Sequence, residues 1–361
     1  MNKQSKKLYD TLKNDISDGG FTDDVHSDFE ELKEYYLNEE RKKELSKMSI
    51  VKKYFLMTWW LLQELLLNLT PARRLLLLLG ILILPILNFK VGNFGLNTSF
   101  IGSIIILFVL MLELKDKLLA KDELNVGNSV QEALMPEKNP KISGWDVWLF
   151  TKPAKEVGGD LVDIIKLKDK KYGITIADVS GKGLGAALLM AKLQTIIRTL
   201  APENSKLDLL FRRVNNAFYR DILPNSFASA IFLEIEENGN SISYVNAGHL
   251  PPIIIQDRQI KELPKGNMAL GLSKEVEFDN RKIAIEPNEY FVAFSDGVTE
   301  AKNKNGQFLG LNSLKIMLKE SVYHTSDQLG NKILNYVKSF IGNSKTADDL
   351  SIVIIKKKNA I

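Results

Sequence analysis

Apolar and polar positions follow three successive rhythms along the chain. In the first, apolar residues are sparse: Phe29, Leu32, Tyr36 and Leu37 form a thin stripe through mixed acids and bases from Asp23 to Lys47, which predicts a solvated amphipathic helix. From Tyr54 to Leu69 the chain turns apolar but keeps Gln63, Glu64 and Asn68. Trp59 and Trp60 follow Lys52 and Lys53 there, a pattern suited to a helix lying at a membrane interface.

The second rhythm is two unbroken apolar runs. Leu75 to Phe89 is 15 residues, about 22 Å as a helix against a hydrocarbon core of about 30 Å. Thr70 to Arg74 must therefore extend it, with Arg73 and Arg74 reaching towards headgroups. Phe94 to Leu112 is long enough to span unaided. Lys52, Lys53, Arg73 and Arg74 flank one outer end and Lys115, Lys117 and Lys121 the other, while the connecting loop carries Lys90. The positive-inside rule then puts both termini in the cytoplasm. The pattern predicts a juxtamembrane helical segment over 1–70 and a transmembrane helical hairpin over 71–112, with helices near 72–90 and 94–112. Such a chain is multi-pass in the inner (cytoplasmic) membrane, with lipid as a partner. Glu113 to Met135 returns to a charged helical pattern and stops at Pro136. It predicts a linker helix over 113–136 and a candidate coiled coil for a homodimer.

From Ile142 onward short alternating or fully apolar runs take over. Strands are predicted near 145–151, 161–168, 171–178, 227–236, 240–247, 251–256, 259–263, 276–285, 290–295 and 350–357. Helices are predicted near 184–200, 206–220, 311–320 and 325–341. Sequential strands joined by hairpins, with helices inserted in pairs, predict an α+β domain over 137–358: an antiparallel two-sheet sandwich covered by helices, rather than a parallel α/β fold.

Within that domain aspartates stand at the mouths of apolar strands. Tyr172, Ile174 and Ile176 alternate with Gly173, Thr175 and Ala177 in a strand that ends on Asp178, and the Gly-rich turn Ser180 to Gly185 then opens a helix. Asp160 begins the preceding strand behind Gly158 and Gly159. A tight hairpin at Asp169 and Lys170 returns Asp178 beside Asp160. The run Tyr290 to Ser295 terminates at Asp296, and Asp348 and Asp349 stand immediately before Leu350 to Ile355. Like charges held together need a cation or a proton. Oxygen-only clusters suit Mg²⁺ or Mn²⁺, and two such ions about 3.5–4 Å apart present an activated water to phosphorus.

Composition narrows the chemistry. There is no cysteine, which removes disulfides, thiolate metal sites and a cysteine nucleophile. With three histidines, His26, His249 and His324, an imidazole zinc site is disfavoured. The net charge of +4 is spread over 48 basic and 44 acidic residues, with no basic stripe, so nucleic acid is not an expected partner. A metal-dependent nuclease or nucleotide cyclase is disfavoured for the same reason.

Five segments in order, Val157 to Asp160, Ile176 to Gly183, Asn246 to Pro252, Ser295 to Glu300 and Asp348 to Ser351, resemble the bacterial SpoIIE/RsbU branch of the PPM-type (protein phosphatase 2C-like) serine/threonine phosphatases. The resemblance covers roughly Gln131 to Lys357, and Gln131 to Pro136 resembles the family's linker ending. It implies a PPM-type α-β-β-α sandwich with a dinuclear Mn²⁺ or Mg²⁺ centre at one end, catalysis resting on Asp178 and Asp160. Asp178 would bridge both ions and the Val179 carbonyl would bind one. Asp296 and Asp348 would complete one shell, with Asp349 as the alternative to Asp348, and Asp160 would serve the second ion. Asp163 is a further acidic candidate.

The implied function is a membrane-anchored metal-dependent phosphatase of phosphoserine or phosphothreonine on a regulatory protein, such as an anti-sigma-factor antagonist. Its catalytic domain would face the cytoplasm. Many eukaryotic-type members carry a histidine just after the bridging aspartate; here the segment reads Val179-Ser180-Gly181, which leaves the general acid unassigned. His249 is expected in a structural turn, with a catalytic role as the alternative. Lys182 fails the P-loop pattern, because Gly183 follows it. The rival function is a catalytically inactive pseudo-phosphatase, a membrane-tethered module that binds phosphoprotein without turnover.

Overall fold

A computed structural model describes residues 37–359 apart from 38, 47, 85–88, 92–93, 97, 204–205, 257–258, 321–324, 343–345 and 347. The helical stripe expected at Phe29, Leu32 and Tyr36, with His26 and His324, lies outside the described residues. The chain divides into two units, Met1–Leu118 and Leu119–Ile361.

The first unit contains α1 (Glu39–Ser46), α2 (Ile50–Asn68), α3 (Pro71–Ile83), the short pair β1 (Phe89–Val91) and β2 (Phe94–Leu96), and the start of α4 (Thr98–Leu134). Leu37, Leu45 and Met57 form a small buried cluster. Arg41 pairs with Glu64 at 2.7 Å and lies 5.4 Å over the Trp60 ring. Arg74 donates to the carbonyls of Leu66, Leu67 and Leu69. It thereby satisfies the acceptors that the end of α2 leaves unpaired. Arg73 binds Glu113 and Asp116, each at 2.7 Å. A Cβ on Gly102 would stand 2.8 Å from the Gly80 carbonyl oxygen, so α3 and α4 approach through backbone.

These elements differ from the expected hairpin. α3 ends at Ile83 after 13 residues, about 20 Å of helix, and the expected first span at 72–90 is cut by the extended Phe89–Val91. Phe94–Leu96 is also extended, and the second span and the linker are one helix of 37 residues. Among the described residues one helix, Leu184–Glu203, meets the length and composition of a membrane span. It is a core helix of the second unit, with Met190, Leu193 and Ile197 buried.

The second unit follows the predicted strand and helix order closely. Its helices are α5 (Leu184–Leu200), α6 (Leu207–Arg220), α7 (Asp296–Thr299), α8 (Gly310–Lys319) and α9 (Ser326–Ile341). One sheet has the order β10-β9-β12-β13-β4-β3, built from Gln259–Glu262, Ile253–Gln256, Tyr290–Phe294, Leu350–Lys357, Trp145–Lys152 and Lys141–Ile142. The other runs β11-β8-β7-β6-β5, built from Arg281–Ala284, Ser241–Ala247, Ala228–Glu236, Lys171–Val179 and Asp160–Lys166. The named pairings within these two sheets are antiparallel.

The period of two sorts the side chains into three layers of core. On β13, Val353 and Ile355 face the other sheet, with Val162, Ile174, Ile176 and Phe291. Ile352 and Ile354 face α8 and α9. On β6, Ala177 and Val179 pack against α5 and α6. Both faces of each sheet are covered, which is why these strands read as continuous apolar runs. The expected strand at 276–285 is half formed: Arg281–Ala284 pairs with β8, whereas Asp279 turns its N–H to Asn267 Oδ1.

Candidate metal centre

The hairpin between β5 and β6 turns through Asp169 and Lys170, whose φ values are 54° and 58°. Two consecutive left-handed residues are what a tight twisted hairpin requires. The resulting register pairs Asp160 with Asp178. Parity sends Asp160, like Val162, between the sheets. There it is 4% exposed and lies against the hydroxyls of Ser351 and Ser295 from the opposite sheet. Its Oδ2 has no hydrogen-bond partner.

The other acidic segments arrive at the same end. β12 and β13 are adjacent antiparallel strands, so the segment leaving one and the segment entering the other fall together. That juxtaposes Asp296 with Asp348 and Asp349. Burial, then the charges of Asp296, Asp348 and Asp349, push Asp178 up to about 7, against the opposing pull of Lys182. Burial and Asp178 hold Asp160 well above the usual carboxylate range. Burial and Asp348 raise Asp296. In each case burial is the first cause and a neighbouring carboxylate the second, and a divalent cation offsets both. The donor set is entirely oxygen, suited to Mg²⁺ or Mn²⁺. Among the described residues no three acidic or histidine side chains close on a single point.

Asp349 has a different occupation from Asp348. Its Oδ1 accepts from the Ala154 N–H at 2.8 Å, and its Oδ2 from the N–H groups of Gly159 at 2.7 Å and Asp160 at 3.3 Å. It ties the Asp160 loop to β13. Asp348 instead directs Oδ2 to the Lys182 ammonium at 2.9 Å. The Val179 carbonyl lies beside Gly159, where a Cβ would stand 2.9 Å from it.

Asp163 is not part of this cluster. It is on the helix-facing side of β5, 2% exposed, and Arg198 of α5 grips it through Nε and Nη2, both at 2.7 Å. Arg198 is therefore the counter-ion of a buried acid. A contact that the sequence did not reveal involves Gln131. Its Nε2 donates to the Gly158 carbonyl at 2.9 Å, and its Oε1 accepts from the Gly158 N–H at 3.1 Å. One amide near the end of α4 thus clips the backbone two residues before Asp160. Gln194 and Arg198 of α5 both donate to the Leu134 carbonyl. No periodic pattern in the sequence marks this contact.

His249 holds a turn. Its N–H donates to Asn246 Oδ1 at 2.8 Å, its carbonyl accepts from Asn246 Nδ2, and Nδ1 lies 2.8 Å from Ser229 Oγ. Burial lowers it to about 4. Below about pH 6.5 the unfolded chain takes up a proton that the folded chain refuses, so this stability is lost as pH falls from about 6.5 towards 4. The ceiling is roughly 3 kcal/mol. Thermal midpoints at pH 7 and pH 4.5 should therefore differ less in His249→Gln than in the native chain. An equal drop in both would contradict this origin.

The family model described as stage II sporulation protein E (SpoIIE) matches residues 168–358. Phosphoserine phosphatase RsbU of Bacillus subtilis is 25% identical over 240 residues, 66% of this chain and 71% of RsbU. Phosphoserine phosphatase RsbP of the same organism is 28% identical over 193 residues, 51% of this chain but 47% of RsbP. Among solved structures, the SiaA-PP2C domain of Pseudomonas aeruginosa superposes with a TM-score of 0.58 at 18% identity, covering 67% of this chain and 98% of that domain. At that identity the likeness shows the fold: a PP2C-like arrangement of two antiparallel sheets with flanking helices.

Proposed function

Because this chain belongs to the stage II sporulation protein E (SpoIIE) family, in its RsbU-like branch of PPM phosphatases, we propose that it hydrolyses phosphoserine or phosphothreonine on a regulatory protein. The observation that carries the reading is the burial of Asp160 opposite Asp178, with Asp296 and Asp348 sharing the same field. A pair of Mn²⁺ or Mg²⁺ ions held there would supply the Lewis acidity that activates water towards phosphorus.

The remaining roles belong to the chain's own residues. Asp178, central to the field, would hold the ions together with Asp296, Asp348 and the Val179 carbonyl. Asp160 would contribute from the buried side, with the Ser295 and Ser351 hydroxyls orienting its carboxylate. Asp349 is a positioning residue, since its oxygens already hold three backbone N–H groups. The carboxylate set is complete in sequence, which favours turnover over a pseudo-phosphatase. The RsbU-type likeness suggests an anti-sigma-factor antagonist as the class of phosphoprotein.

The first unit is read as the membrane anchor. Val51, Phe55, Trp59, Leu75, Leu82, Phe100, Leu107 and Met111 are all large, apolar and exposed on it, an unusual surface for contact with water. The anchor then holds the catalytic unit at the cytoplasmic face of the inner membrane, multi-pass, with the linker helix as the homodimer seam. Full-length chain reconstituted into lipid vesicles should float with them. It should also release phosphate from an added phosphoserine peptide only with Mn²⁺ or Mg²⁺ present. Absence of phosphate release sinks the phosphatase reading; protein left in the dense fraction sinks the anchor.

A further inference from the structure

Lys182 stands in a loop fixed at both ends. Ser180 donates its N–H to the Phe227 carbonyl, and its Oγ accepts from the Phe227 N–H at 2.8 Å. Gly183 caps α5, its carbonyl accepting from Ala187. Gly181 and Gly183 have φ of 106° and 69°, and a Cβ on either would meet nothing within 4 Å. The loop is therefore open on its outer side.

From this perch the ammonium reaches across to Asp348 Oδ2 at 2.9 Å, while Asp348 Oδ1 accepts from the Asp349 N–H at 3.1 Å. Its field extends to Asp178, Asp296 and Asp349. One positive charge thus sits among the carboxylates, and a divalent ion at Asp348 needs the oxygen that the lysine holds. The unpartnered Oδ2 of buried Asp160 marks the same cluster as a place for a cation.

We propose that Lys182 is the built-in counter-cation of this centre: it competes with the divalent ion for Asp348 and, once displaced, binds a phosphoryl oxygen of the substrate. The inference rests on the metal-site reading above. Charge arithmetic gives its second half. Asp160, Asp178, Asp296, Asp348 and Asp349 together carry five negative charges when ionised, of which two dications would offset four. The displaced ammonium then offsets the fifth and leaves the mouth without the net negative charge that would repel a phosphate ester dianion. The lysine is 58% exposed, and its flexible stem suits a charge that changes partner.

The test is Mn²⁺ titration calorimetry on the full chain in detergent micelles, followed by inorganic phosphate titration of the Mn²⁺-loaded protein. Lys182→Gln should bind Mn²⁺ at least about threefold tighter than the native chain, because a like charge beside the ion has gone, and should bind phosphate about tenfold more weakly. Lys182→Arg, which keeps the charge, should stay within about twofold of the native chain for both ligands. Asp178→Asn is the control, expected to lose Mn²⁺. If Asp178→Asn binds Mn²⁺ as the native chain does, the metal-site reading fails. If it loses Mn²⁺ but Lys182→Gln gains none, the lysine competition fails while the metal site stands. Tighter Mn²⁺ with unchanged phosphate overturns the phosphoryl role.

Discussion

Asp178→Asn is expected to lower hydrolysis of a phosphoserine peptide by at least about a thousandfold, about 4 kcal/mol of barrier, while leaving the chelated protein more stable than the native chain at pH 8. The two effects have one cause. Burial and three neighbouring carboxylates raise Asp178 to about 7. Between the unfolded value near 4 and about 7 the folded chain holds a proton that the unfolded chain has released. The stability conferred by that proton is present at low pH and declines as pH rises through 7. Above pH 7 the folded chain carries the full cost of an ionised, crowded carboxylate, and asparagine removes it, a gain of about 1–3 kcal/mol after allowance for partial exposure. Melting in chelator and peptide turnover with Mn²⁺ check the two signs. Retained turnover, or a loss of stability equal to the loss of activity, would show that Asp178 is not the central ligand.

Gly297→Ala is the second large effect. A Cβ there would stand 2.0 Å from the Asp349 carbonyl oxygen, 2.9 Å from its carbonyl carbon and 3.3 Å from that of Asp348. All three are backbone atoms, so no rotamer relieves the contact. The segment Asp348 to Asp349 must move away from Asp296. That breaks the pairing of Ser295 N–H with the Ser351 carbonyl and the hold of Asp349 on Gly159. We expect a loss of roughly 1–3 kcal/mol in stability and at least about a hundredfold in turnover, since a displacement near 1 Å at a reacting centre has that effect. Gly185→Ala, with nothing within 4 Å of the added Cβ, is the control for stability. Chemical denaturation and initial rates measure both quantities. Native-like turnover in Gly297→Ala would mean that Asp348 and Asp296 need not stand together.

The elements of the catalytic unit were legible because each sheet is covered on both faces. Runs such as Ile352 to Ile355 and Tyr290 to Phe294 then have no alternative as exposed segments, and their ends are marked by the aspartates that begin or stop them. The Asp160–Asp178 pairing was legible for a local reason, a hairpin short enough to fix its own register. What stayed hidden depends on contacts between distant segments. Gln131 clips Gly158 across 27 residues and Arg198 holds Asp163 across 35; neither pair has a periodic signature. Whether Asp348 or Asp349 faces the cluster was open, since neighbours on an extended chain point opposite ways. The N–H groups of Ala154, Gly159 and Asp160 decide which carboxylate is already engaged. The first unit was read from the length of its apolar runs and the charges that flank them, and neither sets where a helix stops: α3 ends at Ile83 and the chain is extended by Phe89.

The most direct measurement is anomalous diffraction at the manganese edge from crystals of the full chain grown with Mn²⁺. The account predicts two peaks about 3.5–4 Å apart, both within bonding distance of the Asp178 carboxylate, one shared with Asp296 and Asp348 and one towards Asp160. Ions elsewhere on the chain, with none touching Asp178, would contradict it.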